Sequence, residues 1–292
     1  MKKRFDLNKL TPYLFIAPTI IGLLVFSYYS MGRAFFSSFT DKSWVYETHF
    51  VGLKNYIDAF KSDAFMQAFK NQVVVVLARV FNHIFWPVLA AELLFFVRHA
   101  KLQGIMKRMF VIPMLVPGIV GTMIWKYLYN PNYGINVFLE GIGLGSLATD
   151  WLGNPSTAMF AVLFAGFPFI SGLYFLIFHS ALNSVDRELY EAAIIDGATS
   201  FQVITNIHIP NLMPYVRTVT TLSLIGALGE YAGVAAMTGG GPGYTTTLPA
   251  LWMYRRAFSD GEFGAACAMG IIVTIEILIF TLIFRKFSNK EA

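Results

Sequence analysis

The chain has 292 residues, 56% of them hydrophobic and only 13% charged, with a mean hydropathy of +0.57. Soluble domains carry about 25% charged residues, so the composition points to a polytopic membrane protein. The net charge of +5 is spread over the ends of apolar stretches rather than gathered in one patch, which argues against a nucleic-acid partner, and the single Cys267 excludes an intrachain disulfide.

A membrane-crossing helix needs roughly 20 mainly apolar residues. Six stretches qualify: 12–37, 70–97, 106–128, 157–181, 212–237 and 264–284. No short alternating segments of the barrel kind appear, so the expected fold is all-α, one membrane domain over 1–292 with no appended soluble domain. The first stretch follows Lys2, Lys3 and Arg4, is longer than a signal-peptide core and has no small-residue cleavage site after it, so it reads as a retained helix.

The second stretch carries Arg79, Asn82 and His83; Arg79 and His83, four apart, share a helix face. Glu92 and Arg98 near its end are expected to snorkel. In the fourth stretch Gly166-Phe167-Pro168-Phe169 predicts a break, with Pro168 freeing the carbonyl of Phe164. Segment 183–210 is too polar to span and too rich in helix formers for a plain loop. It reads as a helix–turn–helix on the membrane surface, with Ser184 as N-cap, Gly197 at the turn, and a second helix from Ser200 that Pro210 stops near His208.

In the fifth stretch Ser223, Ala227 and Glu230 stand at i, i+4 and i+7, on one helix face. An ionisable residue inside a span marks a functional site by default, and Glu230 is the foremost; Glu276 in the sixth is expected to make an interhelical hydrogen bond. His179 and His208 read as structural, and the five histidines show no metal-ligand spacing. There is no phosphate-cradling G-x-x-x-x-G-K-[ST] and no evident catalytic cluster, so no cofactor and no enzyme activity are expected of the chain itself.

Lys and Arg in short loops set orientation. Lys2, Lys3, Arg4 and Lys9, then Arg98, Lys101, Lys107 and Arg108, then Arg285, Lys286 and Lys290 fall on one side of six spans, so both termini are expected in the cytoplasm. Trp44, Trp125, Tyr127, Tyr129 and Trp151 gather toward the other side, as an aromatic belt does.

Glu191-Ala192-Ala193-Ile194-Ile195-Asp196-Gly197-Ala198, followed by Ile207-His208-Ile209-Pro210, resembles the EAA loop of bacterial ABC-importer permeases. Phe50 to Tyr56, Ile112-Pro113 with Val116-Pro117-Gly118, Asn130 to Gly134 with Asn136, and Thr238-Gly239-Gly240-Gly241-Pro242 resemble, in order, segments of the carbohydrate permeases of maltose type, so the likeness covers nearly the whole chain. It implies a type I permease fold in the bacterial cytoplasmic membrane, working with a second permease as a heterodimer, two copies of an ABC ATPase that uses the ATP, and an extracytoplasmic substrate-binding protein. Larger relatives carry extra N-terminal helices, so the compact six-helix core is expected here. Glu191, Ala192, Ala193, Asp196, Gly197 and Ala198 would then couple to the ATPase. Gly166, Phe169, Ser223, Ala227 and Glu230 would line the sugar site, with Phe169 stacking on sugar. Ala227 replaces a polar residue of the maltose-type pattern. The rival substrates are of glycerol-phosphate kind, and the rival mechanism is a proton-coupled secondary transporter using Glu230 or Glu276.

Overall fold

The structure, a computed structural model, describes residues 7–43 and 47–288. Lys2, Lys3, Arg4, Trp44 and Lys290 lie outside the described residues, as do the side chains of Lys9 and Arg187. The regular elements are all helical; the β features among the described residues are isolated bridges, Thr40 with Phe50 and Ser43 with Glu262. The chain divides into two compact units. One takes the chain up to Ser62 together with Met253–Ile272; the other takes Asp63–Trp252 together with the chain from Val273.

In the first unit, α1 (Leu7–Gly22) passes through a π-helical turn (Leu23–Tyr28) into α2 (Tyr29–Ser37). None of the apolar run Thr11–Ser37 is buried, so this rod turns hydrocarbon outward on every side, as a helix bordered by lipid or another subunit does. The loop after it is tied by side chains. Asn55, on α3 (Lys54–Lys61), donates from Nδ2 to the carbonyls of Ser38 and Thr40, both at 2.8 Å, and Ser38 Oγ meets the Tyr56 hydroxyl at 2.6 Å. Gly264 approaches so closely that a Cβ there would overlap the Thr40 carbonyl.

The second unit is built on α4 (Asp63–Phe95), followed by α5 (Ala100–Val111), α6 (Gly118–Leu128), α7 (Ile135–Gly141), α8 (Ala158–Phe164), α9 (Gly172–Asn183), α10 (Arg187–Ile195), α11 (Ser200–Val203), α12 (Ile209–Leu228) and α13 (Ala232–Met237). Then come α14 (Pro249–Phe258) and α15 (Phe263–Ser288), which continue across the division. Two clusters hold this unit. Ala91 and Leu94 of α4 meet Phe175, Phe178 and Leu182 of α9 and Leu212 and Val219 of α12. Val75 of α4 joins Tyr129, Val162, Met237 and Leu248 in the other. Lipid is as apolar as leucine, so close packing and buried polar bonds, rather than escape from water, join such helices.

Among the described residues, three helices are long and apolar enough to cross a membrane unbroken: Thr11–Ser37, Asp63–Phe95 and Phe263–Lys286. The other expected spans are interrupted, each for a local reason. The third bends by 93° between Leu115 and Gly118, because Val116 precedes Pro117 and is pushed out of the helical region, to φ −79°, ψ 127°. The fourth breaks at 165–171, where Gly166 takes φ +107° and Phe169 φ +61°. The Phe164 carbonyl is not freed there: it accepts from the Phe167 amide at 3.1 Å. The fifth breaks after Leu228, at Gly229.

Two boundaries in the surface segment also differ. Ser184 closes α9, its Oγ donating to the Ala181 carbonyl at 2.7 Å, and Asp186 caps α10 by accepting from the Glu188 amide. Pro210 does not stop a helix. A π-helical turn (Ile204–His208) links α11 to α12, and Pro210 falls in the first turn of α12, where a missing N–H costs little.

Candidate functional site

Segment 183–210 forms the helix–turn–helix its sequence predicts. α10 ends at Asp196, and Gly197, at φ +79°, reverses the chain while its amide donates to the Ile194 carbonyl and that of Ala198 to the Ala193 carbonyl. Thr199 and Gln202 make a reciprocal capping box that starts α11. Glu191, Ala192, Asp196 and Gly197 are exposed; Ala193 and Ala198 are half-buried. A Cβ on Gly197 would meet nothing within 4 Å, so its backbone, not crowding within the chain, demands glycine. Beside these residues stand Leu189, Ile194, Ile195 and Phe201, all exposed, Ile195 at 85%. Apolar side chains are thus held open next to carboxylates on a short, capped element, the make-up common at docking surfaces.

Behind that surface α10 is fastened to the Phe95 end of α4. The Phe95 ring packs edge-on against Tyr190 of α10 at 5.5 Å and against His208 at 4.6 Å. His208 Nδ1 lies 2.8 Å from Glu92 Oε2, with His208 fully buried and Glu92 5% exposed. Glu92 therefore does not snorkel; it is the buried partner of the residue that precedes α12.

Halfway along α4 lies a cavity of about 240 Å³. Arg79 is the one charged residue of its lining, which also includes Gly121, Thr122, Trp125, Gly166 and Gly233. The space exists because side chains are missing: a Cβ at Gly118, Gly121 or Gly166 would touch nothing within 4 Å. One turn along α4, His83 Nδ1 meets Ser223 Oγ at 2.8 Å. A second groove, of about 470 Å³ between α4 and α12, is walled by Phe81, Phe85, Leu89 and Val216 with Glu92 as its charged member. That carboxylate is engaged by His208, so the groove is poorly equipped to hold a polyhydroxylated ligand.

The residues expected on one face of the fifth span are separated. Ser223 and Ala227 lie on α12, buried at 1% and 5%, whereas the helix ends before Glu230. The Glu230 carboxylate caps the next helix, accepting from the Gly233 amide at 3.0 Å. It abuts the cavity through Gly233 instead of projecting from the α12 face. Gly166 lines the cavity; Phe169 packs against Trp86 and Phe164, with centroids at 6.1 and 5.7 Å. The expected hydrogen bond of Glu276 is not formed by Oε2, which is enclosed without a partner.

Several working residues carry no local signature. Asn71 donates from Nδ2 to the carbonyls of Tyr244 (2.8 Å) and Thr247 (2.9 Å), and Gln72 to the carbonyl of Leu228 (2.8 Å). They clamp α4 to the segment from Tyr244 to Thr247, which closes the turn begun at Thr238, and to the end of α12. The turn is knotted by Thr238 Oγ1 on Thr246 Oγ1 at 2.7 Å and by Thr247 Oγ1 donating to the Gly240 carbonyl at 2.8 Å. The one clue in the sequence is two adjacent amides at the start of an apolar span.

Residues 72–291 match the family described as binding-protein-dependent transport system inner membrane component. The chain belongs to that family. The permease is 31% identical to the probable ABC transporter permease protein YurN of Bacillus subtilis, covering 97% of this chain and 98% of that one. It is also 31% identical to the multiple sugar-binding transport system permease protein MsmF of Streptococcus mutans, covering 99% of each. Its fold matches that of a chain in the crystal structure of a bacterial alginate ABC transporter in complex with an alginate pentasaccharide-bound periplasmic protein, with a TM-score of 0.87 over 98% of this chain and 96% of that one, at 22% identity. The permease is thus a membrane transport component of type I importer fold, and the family match leaves the proton-coupled alternative without support.

Proposed function

We propose that this permease is one half of the translocation path of an ATP-driven importer for a sugar or oligosaccharide in a bacterial cytoplasmic membrane. The observation that carries the reading is full-length similarity to permeases of the MsmF kind, joined to an exposed, doubly capped α10–α11 element of the right form to meet a cytoplasmic ATPase. In this reading the chain makes six passes, counting each interrupted pair (α5 with α6, α8 with α9, α12 with α13) as one, with both termini inside. Residues 1–292 form one permease domain in this reading. A second permease completes the path, two ATPase copies bind below, and a substrate-binding protein delivers cargo from outside. ATP is consumed by the ATPase, and the permease holds no cofactor.

Glu191, Ala192, Ala193, Asp196, Gly197 and Ala198 form the coupling surface in this reading, with the exposed Ile195 and Phe201 beside them as its apolar part. Closure of the ATPase dimer moves α10, and the Tyr190–Phe95–His208–Glu92 contacts pass that displacement to α4 and the cavity. Allosteric coupling requires such a two-state element biased from both ends. Gly166, Phe169 and Glu230 border the route of the cargo; Ser223 and Ala227 shape it from within, Ser223 by holding His83.

The test is affinity purification of the permease from native membranes in a detergent that preserves complexes. Recovery of a second permease and an ATPase with phosphate-cradling loops is expected, together with ATP-dependent uptake of a saccharide in proteoliposomes. Recovery of this chain alone would overturn the assembly, and uptake independent of ATP would overturn the mechanism.

A further inference from the structure

Arg79 stands at the midpoint of the 33-residue α4. Its Nε is enclosed without a hydrogen-bonding partner, and no carboxylate among the described residues pairs with the guanidinium. Glu230 accepts from the Gly233 amide, and His83, a turn away from Arg79 on α4, is held by Ser223. A cation in the middle of a span is costly, and such residues normally face a cavity and find a partner there. Arg79 does face a cavity, lined otherwise by four glycines, Thr122, Trp125 and three apolar side chains. The guanidinium offers a planar fork of donors and no acceptor, a shape that matches the paired oxygens of a carboxylate or phosphate. At about 240 Å³ the space is smaller than the roughly 300–1,000 Å³ of a pocket that encloses a whole small ligand. It receives one charged end of a substrate and leaves the remainder in the path.

From this we infer that the transported saccharide carries an anionic group, a carboxylate or a phosphate, which Arg79 receives in the cavity between α4, α6 and the 165–171 break. The inference rests on the carbohydrate-importer reading and adds the charge of the cargo. Glu230 caps α13 from outside the lining, so Arg79 carries the only charge among the residues that line the cavity.

The experiment is uptake by the complete purified transporter in ATP-loaded proteoliposomes, with three labelled probes: neutral maltotriose, trigalacturonate and glucose 6-phosphate. Uptake of one or both acidic probes is expected, the two arms telling carboxylate from phosphate. Arg79→Gln should lower that uptake about tenfold or more, the scale of a charge-assisted hydrogen bond. Should the Arg79→Gln complex fail to assemble, Arg79→Lys takes its place. Keeping the charge without the fork, it is expected to raise KM for the acidic probe several-fold, and an unchanged KM overturns the inference. Uptake of maltotriose alone overturns the anionic cargo and leaves the carbohydrate reading standing, as does equal loss of neutral and acidic uptake in Arg79→Gln, which would assign Arg79 to pairing with the second permease. Uptake of none of the three overturns both.

Discussion

His208 and Glu92 illustrate how a residue that looks unremarkable in sequence becomes a joint. They are 116 positions apart, and each is enclosed. Removing one partner strands the other: Glu92 Oε1 and His208 Nε2 already lack partners, so nothing nearby takes up the lost bond. His208→Ala is expected to destabilise the purified permease by about 2–4 kcal/mol, read as a fall in its melting temperature in detergent. Combining Glu92→Leu with His208→Phe, which swaps the pair for apolar groups of similar bulk, is expected to recover most of that loss; a double variant as unstable as the single one would count against the joint. Asn71 is the second such residue. Asn71→Ala removes the donor of two carbonyl contacts at once, and is expected to cost about 2 kcal/mol or more and to speed proteolysis of the Thr238–Thr247 turn. Neither role is legible from local spacing, because the partners of Asn71 lie 173 and 176 residues away.

At the scale of elements, the α10–α11 hairpin is where sequence and structure agree best. Short-range rules govern it: a cap at each start and a glycine with positive φ at the turn. Only its entry was misjudged, since Asp186 and Ser184 are both good capping residues and the structure uses them on opposite sides of the junction. Gly197→Asp is expected to leave membrane insertion and the other helices intact, because a side chain there meets open space within the chain. It should abolish ATP-coupled uptake, measured beside ATPase activity of the assembled complex. Gly197→Ala carries the backbone strain without the charge and should fall between the two; normal uptake in Gly197→Asp would remove the docking role. The interrupted spans were only half legible. Gly166 and Pro168 announced the break in the fourth span, but the third reads as continuous despite Pro117, and Gly229 gives no warning that Glu230 leaves the face of Ser223 and Ala227.

For the molecule as a whole, apolar stretches and basic loops foretold an all-helical membrane chain, and the family match agrees. Hydropathy could not foretell which stretches stay continuous, since it averages over the single residues that break a helix. The proposed orientation is open to a direct check. Alkaline phosphatase fused after residue 288 is expected to be inactive, and the same enzyme inserted near residue 143 active. Activity at the C-terminal fusion would invert the topology and place α10–α11 outside the cell.

One dimension of α4 has a mechanical meaning. At about 1.5 Å per residue its 33 residues make a rod about 50 Å long, against a hydrocarbon layer of about 30 Å. Arg79 sits sixteen residues from either end. The Phe95 end is gripped by α10 and the turn before α12; the opposite end is gripped, through Asn71, by the Thr238–Thr247 turn. A rod of that length that tilts by about 10° about its middle swings each end by about 4 Å, in opposite directions, while its centre hardly moves. In the proposed cycle α4 would act as a seesaw with its fulcrum at Arg79: a pull from below would reappear inverted above, while a group held by the guanidinium would hardly move.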